Sequence, residues 1–283
     1  MFLRDFKIKK YFLLFLLVLL GVHSAAAEPT SRFRIGGTGS ALATMRLLVA
    51  EYQKVHPDIQ IQVPPSLGST GGIKALLDGA LDICLVARPL TQAEVDAQLT
   101  YRPYARTAVI FAVNPLAEVS ALNYQQIADI LAGNLTRWPN GEYIRPVIRA
   151  ATESDLLPVF AFSPQLRKAF ARGAERPELI FAATAQDNVN ILLSLPGAFG
   201  VSSLAQIHSE KAFVIPLTLA GVEPTLDNLA TGRYPFGKDF ALVYQDSKLP
   251  AKLRPFIDFV FSRQACAILT ANSHNCLNVR SPG

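Results

Sequence analysis

The stretch FRIGGTGSALATMRLLVAEYQKVHPDIQIQV, residues 33–63, and its continuation GSTGGIKALLDGALDICLV, residues 68–86, decide the fold. Phe33–Ile35 reads as a strand ending at Gly36-Gly37. Leu42, Met45, Leu48, Val49, Tyr52 and Val55 then recur at helical spacing, and Pro57 closes that helix. Ile59, Ile61 and Val63 alternate as a strand. Ser69-Thr70-Gly71-Gly72 opens a second helix that runs to Leu77 and stops at Gly79. Asp82–Val86 is a continuous apolar run, suited to a sheet covered on both faces. Pro89-Leu90-Thr91 leads into a third, more polar helix. This alternation predicts a doubly wound α/β unit.

The second half continues in kind. Thr107–Val113 reads as a strand broken by Asn114-Pro115, Tyr124–Leu131 as a helix and Pro146–Arg149 as a strand. A helix around 156–162, another over Asp187–Leu195 and a strand over Ala198–Ser202 follow. Residues 216–239 are turn-rich, Phe240–Tyr244 reads as a strand, and Pro250–Leu269 as one terminal helix. No Gly/Ser linker interrupts the chain, and no internal repeat is evident. The expected architecture is two α/β lobes joined by crossing strands. Lobe I comprises residues 28–110 with 240–283 and lobe II 111–239, with hinges near Phe111–Asn114 and Phe236–Phe240.

Composition narrows the function. Of 283 residues, 50% are hydrophobic and 17% charged, which excludes a disordered chain. The net charge of +5 is concentrated in the first 27 residues. There Arg4, Lys7, Lys9 and Lys10 precede the apolar run Tyr11–Val22, and Ala25-Ala26-Ala27 supplies a cleavage site, the pattern of a secretory signal peptide. That run has 12 residues, short of the roughly 20 that a spanning helix needs. Beyond it, 23 basic and 21 acidic residues remain, a net of +2, which gives nucleic-acid binding little support. Cys266 and Cys276 suit a staple of the tail in an oxidising compartment, and Cys84, in an apolar run, suits a buried thiol. His56, His208 and His274 are scattered and no CxxC or HExxH occurs, so no metal or other cofactor is expected.

Three strand-to-helix junctions share one chemistry: residues 36–42, 67–72 and 149–155. Each offers unpaired N–H groups and small hydroxyls at a helix start, where the local dipole favours negative charge. In an open α/β sheet such junctions lie where ligands bind. The plainer reading makes Ser40, Ser69 and Thr152 N-caps, with Thr152 and Asp155 at capping-box spacing. Neither glycine segment is a dinucleotide or Walker loop. Arg88 and Arg149 end strands; each either pairs with a surface carboxylate or holds an oxyanion through charge-assisted hydrogen bonds.

With GTGSAL (37–42), GSTGGIKALLDGALDI (68–83), ARPL (87–90), WPNG (138–141) and LPGAFGVSS (195–203), the chain resembles the phosphate-binding-protein family. These are type II periplasmic solute-binding proteins of ABC transporters. The resemblance runs over most of the chain beyond residue 27 and is strongest at 35–90. It implies two α/β lobes closing on an oxyanion, and no enzymatic activity. Carried over, it places the N–H groups of Ala41 and Leu42, with the Ser40 hydroxyl, on the anion. Ser69 matches the family serine, with Thr70 and Gly71 in the same loop, and Arg88 keeps the arginine of one family form. At the third loop Arg149 is retained, but of the family's Ser-Gly-Thr only Ser154 survives among Thr152-Glu153-Ser154-Asp155. Here Glu153 is expected to face solvent. Asp155 either caps the helix or accepts the proton of monohydrogen phosphate.

The resemblance thus implies a monomer in the periplasm that captures inorganic phosphate or a related oxyanion for a membrane permease. A second reading keeps the fold but makes the protein a sensor or accessory subunit with a degenerate pocket. An exported hydrolase is a third, although no GxSxG elbow or placed His supports it.

Overall fold

The computed structural model describes residues 31–176 and 179–279; the signal segment lies outside them. The strands are β1 (Ser31–Gly37), β2 (Ile59–Gln62), β3 (Ile83–Val86), β4 (Thr100–Val113), β5 (Ala121–Leu122), β6 (Arg145–Ile148), β7 (Ile180–Phe181), β8 (Ala198–Ser203), β9 (Ile215–Pro216), β10 (Thr218–Leu219), β11 (Gly237–Tyr244) and β12 (Asn275–Cys276). The helices that matter to the site are α1 (Gly39–Gln53), α2 (Gly68–Leu77), α3 (Gln92–Asp96), α4 (Tyr124–Ala132) and α5 (Leu157–Phe162). The main sheet runs β2-β1-β3-β11-β4-β8-β6-β7, parallel at each end and antiparallel through the middle. The predicted α/β alternation is what the chain forms.

The two larger of three cores flank the middle strands. One packs Met45, Leu48, Tyr52, Phe240, Phe256 and Phe261. The other packs Phe111, Trp138, Phe170, Phe199, Tyr234 and Phe236. β4 belongs to both: Tyr104 and Ala105 lie in the first, and Ala108–Val113 in the second. Its 14 residues run well beyond the strand read from the sequence, because its polar half, Thr100–Arg106, is paired along its length with β11. β11 likewise begins at Gly237, three residues earlier than expected, and carries a register shift between Phe240 and Ala241. Such irregularities re-aim the neighbouring side chains.

The terminal helix differs from its prediction. It is broken into a 3-10 turn, a helix over Arg254–Val260 and another over Arg263–Ala271, because the Ser262 hydroxyl accepts from the Ala265 N–H and starts a new helix. Cys266 and Cys276 are disulfide-bonded, tying β12 to that helix. Cys84 is a free, buried thiol that burial pushes up to about 12.

His274, fully buried against Phe240, is held neutral by its surroundings, its pKa lowered from 6.5 to about 4 by burial. An unfolded chain binds this proton more readily, so the stabilisation is complete above about pH 6.5 and is lost as pH falls toward 4. It amounts to about 3 kcal/mol. Urea midpoints measured from pH 7 to 4 are expected to fall less steeply for His274→Gln than for the native chain.

Candidate functional site

The two glycine-rich loops are locked to each other. Gly37 pairs with Leu85 across β1 and β3, the Thr38 N–H donates to the Leu85 carbonyl (2.9 Å), and the Leu67 N–H donates to the Gly37 carbonyl (3.0 Å). Gly72 packs so closely that an added Cβ would stand 2.8 Å from the Gly37 Cα and 2.7 Å from the Cys84 Sγ. The starts of α1 and α2 are therefore fixed side by side at the carboxyl ends of β1 and β3.

Neither start is capped by a side chain, which overturns the N-cap reading of Ser40 and Ser69. The residues ahead of the helices are Thr38 and Leu67, and both serines lie inside them. In α1 the open donors fall slightly earlier than expected. The Ala41 N–H turns back to the Thr38 carbonyl (3.2 Å), and Leu42 stands where intrahelical bonding begins, leaving Gly39 and Ser40. In α2 the corresponding groups belong to Ser69 and Thr70, and Gly71 begins the intrahelical bonding. The Ser69 hydroxyl accepts from the Ala87 N–H (3.2 Å), which keeps its own proton available as a donor.

The centre of the arrangement is a residue the sequence reading passed over. Lys238, in β11, is buried, and its Nζ donates to the Ser40 Oγ (2.9 Å) and pairs with the Asp155 Oδ1. The Asp155 Oδ2 accepts from Arg149 Nη1 (3.0 Å), and Arg149 Nη2 pairs with Glu153 (2.7 Å). Lys238 thus joins the first loop to the third. Burial lowers the pKa of its ammonium, and Asp155 opposes that shift. The same ammonium lies 5.1 Å from the centre of the Phe240 ring. A signal existed in the sequence: Gly237-Lys238-Asp239 sits within the predicted hinge at Phe236–Phe240.

The third loop is held in place from behind. Phe162 at the end of α5 packs edge-on against Phe236 at 5.2 Å, two residues before Lys238. Asp155 caps nothing, since the residue ahead of α5 is Leu156 and no side chain caps that helix. It is 2% exposed and serves Lys238 and Arg149 instead. Glu153, expected to face solvent, is partly covered and tied to Arg149. Thr152 is exposed, and the helix that follows starts after Leu156 with no side-chain cap, so the capping box with Asp155 is absent. Ser154 is buried, at 8% exposure.

Ser154, Arg88, Ala87 and Lys238 line one cleft of about 300 Å³, together with Tyr101, Leu157, Pro158, Ala161 and the Arg106–Asp239 ion pair. Arg88 reaches it already paired. Both Glu94 oxygens accept from its guanidinium at 2.8 Å, and Nη2 also donates to the Thr70 Oγ1 at 3.3 Å. Glu94 holds Arg88 above its ordinary pKa, and Arg88 holds the Glu94 carboxyl below its own. Of the two arginine readings, pairing with a carboxylate prevails here. Ser40, Arg149, Ser154 and Asp155 thus gather around Lys238, with Ser69, Thr70 and Arg88 at the margin. A larger cavity of about 510 Å³, lined by His208, Pro216, Thr225 and Ser273 among others, contains none of these residues.

The motifs WPNG and LPGAFG meet away from the cleft. The Trp138 Nε1 donates to the Gly197 carbonyl (3.1 Å), and Gly197 takes φ +71° where an added Cβ would stand 2.1 Å from the Tyr143 carbonyl oxygen. They brace β8, and Phe199 and Gly200 of the second motif share the lining of a small void with Arg149, Glu153 and Asp155. Among the described residues, no group of His, Cys, Asp and Glu is placed to hold a metal ion.

Residues 24–264 match the family model of the PBP superfamily domain. The phosphate-binding protein PstS of Bacillus subtilis is 26% identical over 230 residues, 79% of this chain and 73% of that protein. Phosphate-binding protein PstS 2 of Streptococcus pneumoniae is 30% identical over 109 residues, so the match spans 38% of this chain and 37% of that relative's length. A Clostridium perfringens protein solved with bound phosphate has the same fold, with a TM-score of 0.73 at 21% identity over 87% of this chain and 100% of that one.

Proposed function

The chain belongs to the phosphate-binding-protein family of the PBP superfamily, solute-binding proteins of ABC transporters and not enzymes, and we propose that it captures phosphate or a related small oxyanion between its lobes. The observation that carries this reading is the convergence at Lys238. The first loop contributes Ser40, the third contributes Arg149 and Ser154, and the hinge strand contributes the ammonium itself. Directed donors of this kind, in a cleft shielded from water, offset the cost of stripping water from an anion.

The lobes are residues 28–110 with 240–283 and residues 111–239, closing about β4 and β11. The two cores divide near these limits. The first 27 residues act as an export signal, and the mature protein works as a monomer in the periplasm, handing its ligand to a permease. Among the described residues, no helix is long and apolar enough to cross a membrane. Calorimetric titration with phosphate, sulfate and molybdate tests the reading: one saturable site per chain is expected for phosphate. A flat titration with all three would refute it.

One observation favours a second reading, that of a sensor or accessory subunit with a degenerate pocket. The cations at and beside the cleft are already paired: Lys238 and Arg149 share Asp155, Arg149 also holds Glu153, Arg88 holds Glu94 and Arg106 holds Asp239. Equilibrium dialysis against the same anions and small carboxylates separates the two, since the second predicts no saturable binding to any.

A further inference from the structure

We infer that the Asp155 carboxylate is an internal stand-in for the ligand, holding the cationic centre of the cleft until an incoming oxyanion displaces it. This inference rests on the oxyanion reading of the site and adds a control to it. Asp155 is 2% exposed, lies on the third loop and presents one oxygen to Lys238 and the other to Arg149. That is the contact pattern an oxyanion at the cluster would make: two oxygens on two cations, with the Ser40 hydroxyl on the same ammonium. Lys238, Arg149, Asp155 and Glu153 together sum to no net charge. Arg88 and Glu94 add none.

An anion entering this cluster meets a carboxylate of its own sign in the place it needs, so its affinity is set by the cost of moving Asp155 aside. The direction of motion is available, because Ser154 beside it already lines the cleft and α5 behind it is a helix of only six residues. Glu153 serves as an internal comparison. It carries the same charge and touches the same arginine, yet it is partly exposed and makes no contact with Lys238.

The test is calorimetric titration of phosphate and sulfate into the native chain, Asp155→Asn, Asp155→Ser and Glu153→Gln, each with a thermal melt with and without anion. Asp155→Asn keeps the shape of the side chain and removes its charge. Asp155→Ser is the second neutral variant should the first fold poorly, and a melting temperature restored by phosphate then reports the same binding. Both anions are expected to bind Asp155→Asn at least about tenfold more tightly than the native chain, a gain of about 1.4 kcal/mol. Glu153→Gln is expected to gain less. Binding by Asp155→Asn alone, with none by the native chain, would overturn the stand-in, because no oxyanion then displaces Asp155 from its partners. Equal gains for the two sites would reduce the effect to bulk charge and overturn the stand-in. Weaker phosphate binding with sulfate unchanged would make Asp155 a proton acceptor for the ligand and likewise overturn it. Native binding without any gain in the Asp155 variants removes the inference and leaves the oxyanion reading intact. Absence of binding in every protein removes both.

Discussion

Lys238→Met is expected to lose saturable anion binding, by at least about 30-fold, or about 2 kcal/mol, in calorimetry. Among the described residues, Lys238 supplies the only ammonium in contact with both Ser40 and Asp155, and it is 4% exposed. Methionine keeps the length and apolar stem but removes the charge. Asp155 then remains on Arg149 alone, and its negative charge faces the entering ligand without the partner that neutralised it. Breaking a buried pair also lowers stability, by about 3–5 kcal/mol. The binding measurement is therefore read on protein shown by circular dichroism to be folded. Lys238→Arg, which restores the charge on a bulkier head, is expected to recover part of the affinity. Unchanged binding by folded Lys238→Met would remove Lys238 from the site.

The second large effect is on the scaffold that aims the loops. Gly37→Ala is expected to cost more than about 4 kcal/mol, enough to leave little of a typical domain's stability. The residue takes φ +140°, and a Cβ there would stand 2.2 Å from the Leu85 carbonyl oxygen and 2.9 Å from its nitrogen. Those are backbone atoms of the neighbouring strand, paired in register with Gly37 itself, so they cannot swing aside as a side chain would. The Gly37 carbonyl also receives the Leu67 N–H, so the strain passes directly into the second loop. A denaturation midpoint near that of the native chain would show that β1 and β3 accommodate the methyl group.

Where the information is local, the sequence carries it well. The glycines and small hydroxyls at 36–42 and 67–72 announce helix starts at strand ends, and the apolar spacing of Leu42 to Tyr52 defines the buried face of α1. Arg88 was legible too. Thr91 and Glu94 form a capping box on α3, and that pattern, visible as Thr-x-x-Glu, places a carboxylate close to the arginine. The break at Ser262 needed only an N-cap inside an apolar run.

Lys238 was not legible in the same way. A lysine beginning a strand is ordinarily solvated, and only the pairing of β11 between β3 and β4 sets its ammonium beside Ser40, 198 positions away in the chain. Asp155 misled for a related reason. Its spacing from Thr152 is that of a capping box, but its partners are Arg149, just past the end of β6, and Lys238 in β11, and that ion pairing overrides the local pattern.

A crystal structure of the protein with molybdate, the anion located by its anomalous scattering, tests anion capture at Lys238 directly. One strong peak is expected in the cleft, within hydrogen-bond reach of the Lys238 ammonium and the Ser40 hydroxyl, with Asp155 turned away from its present partners. A peak elsewhere, or the Lys238–Asp155–Arg149 cluster unchanged under saturating anion, would contradict it.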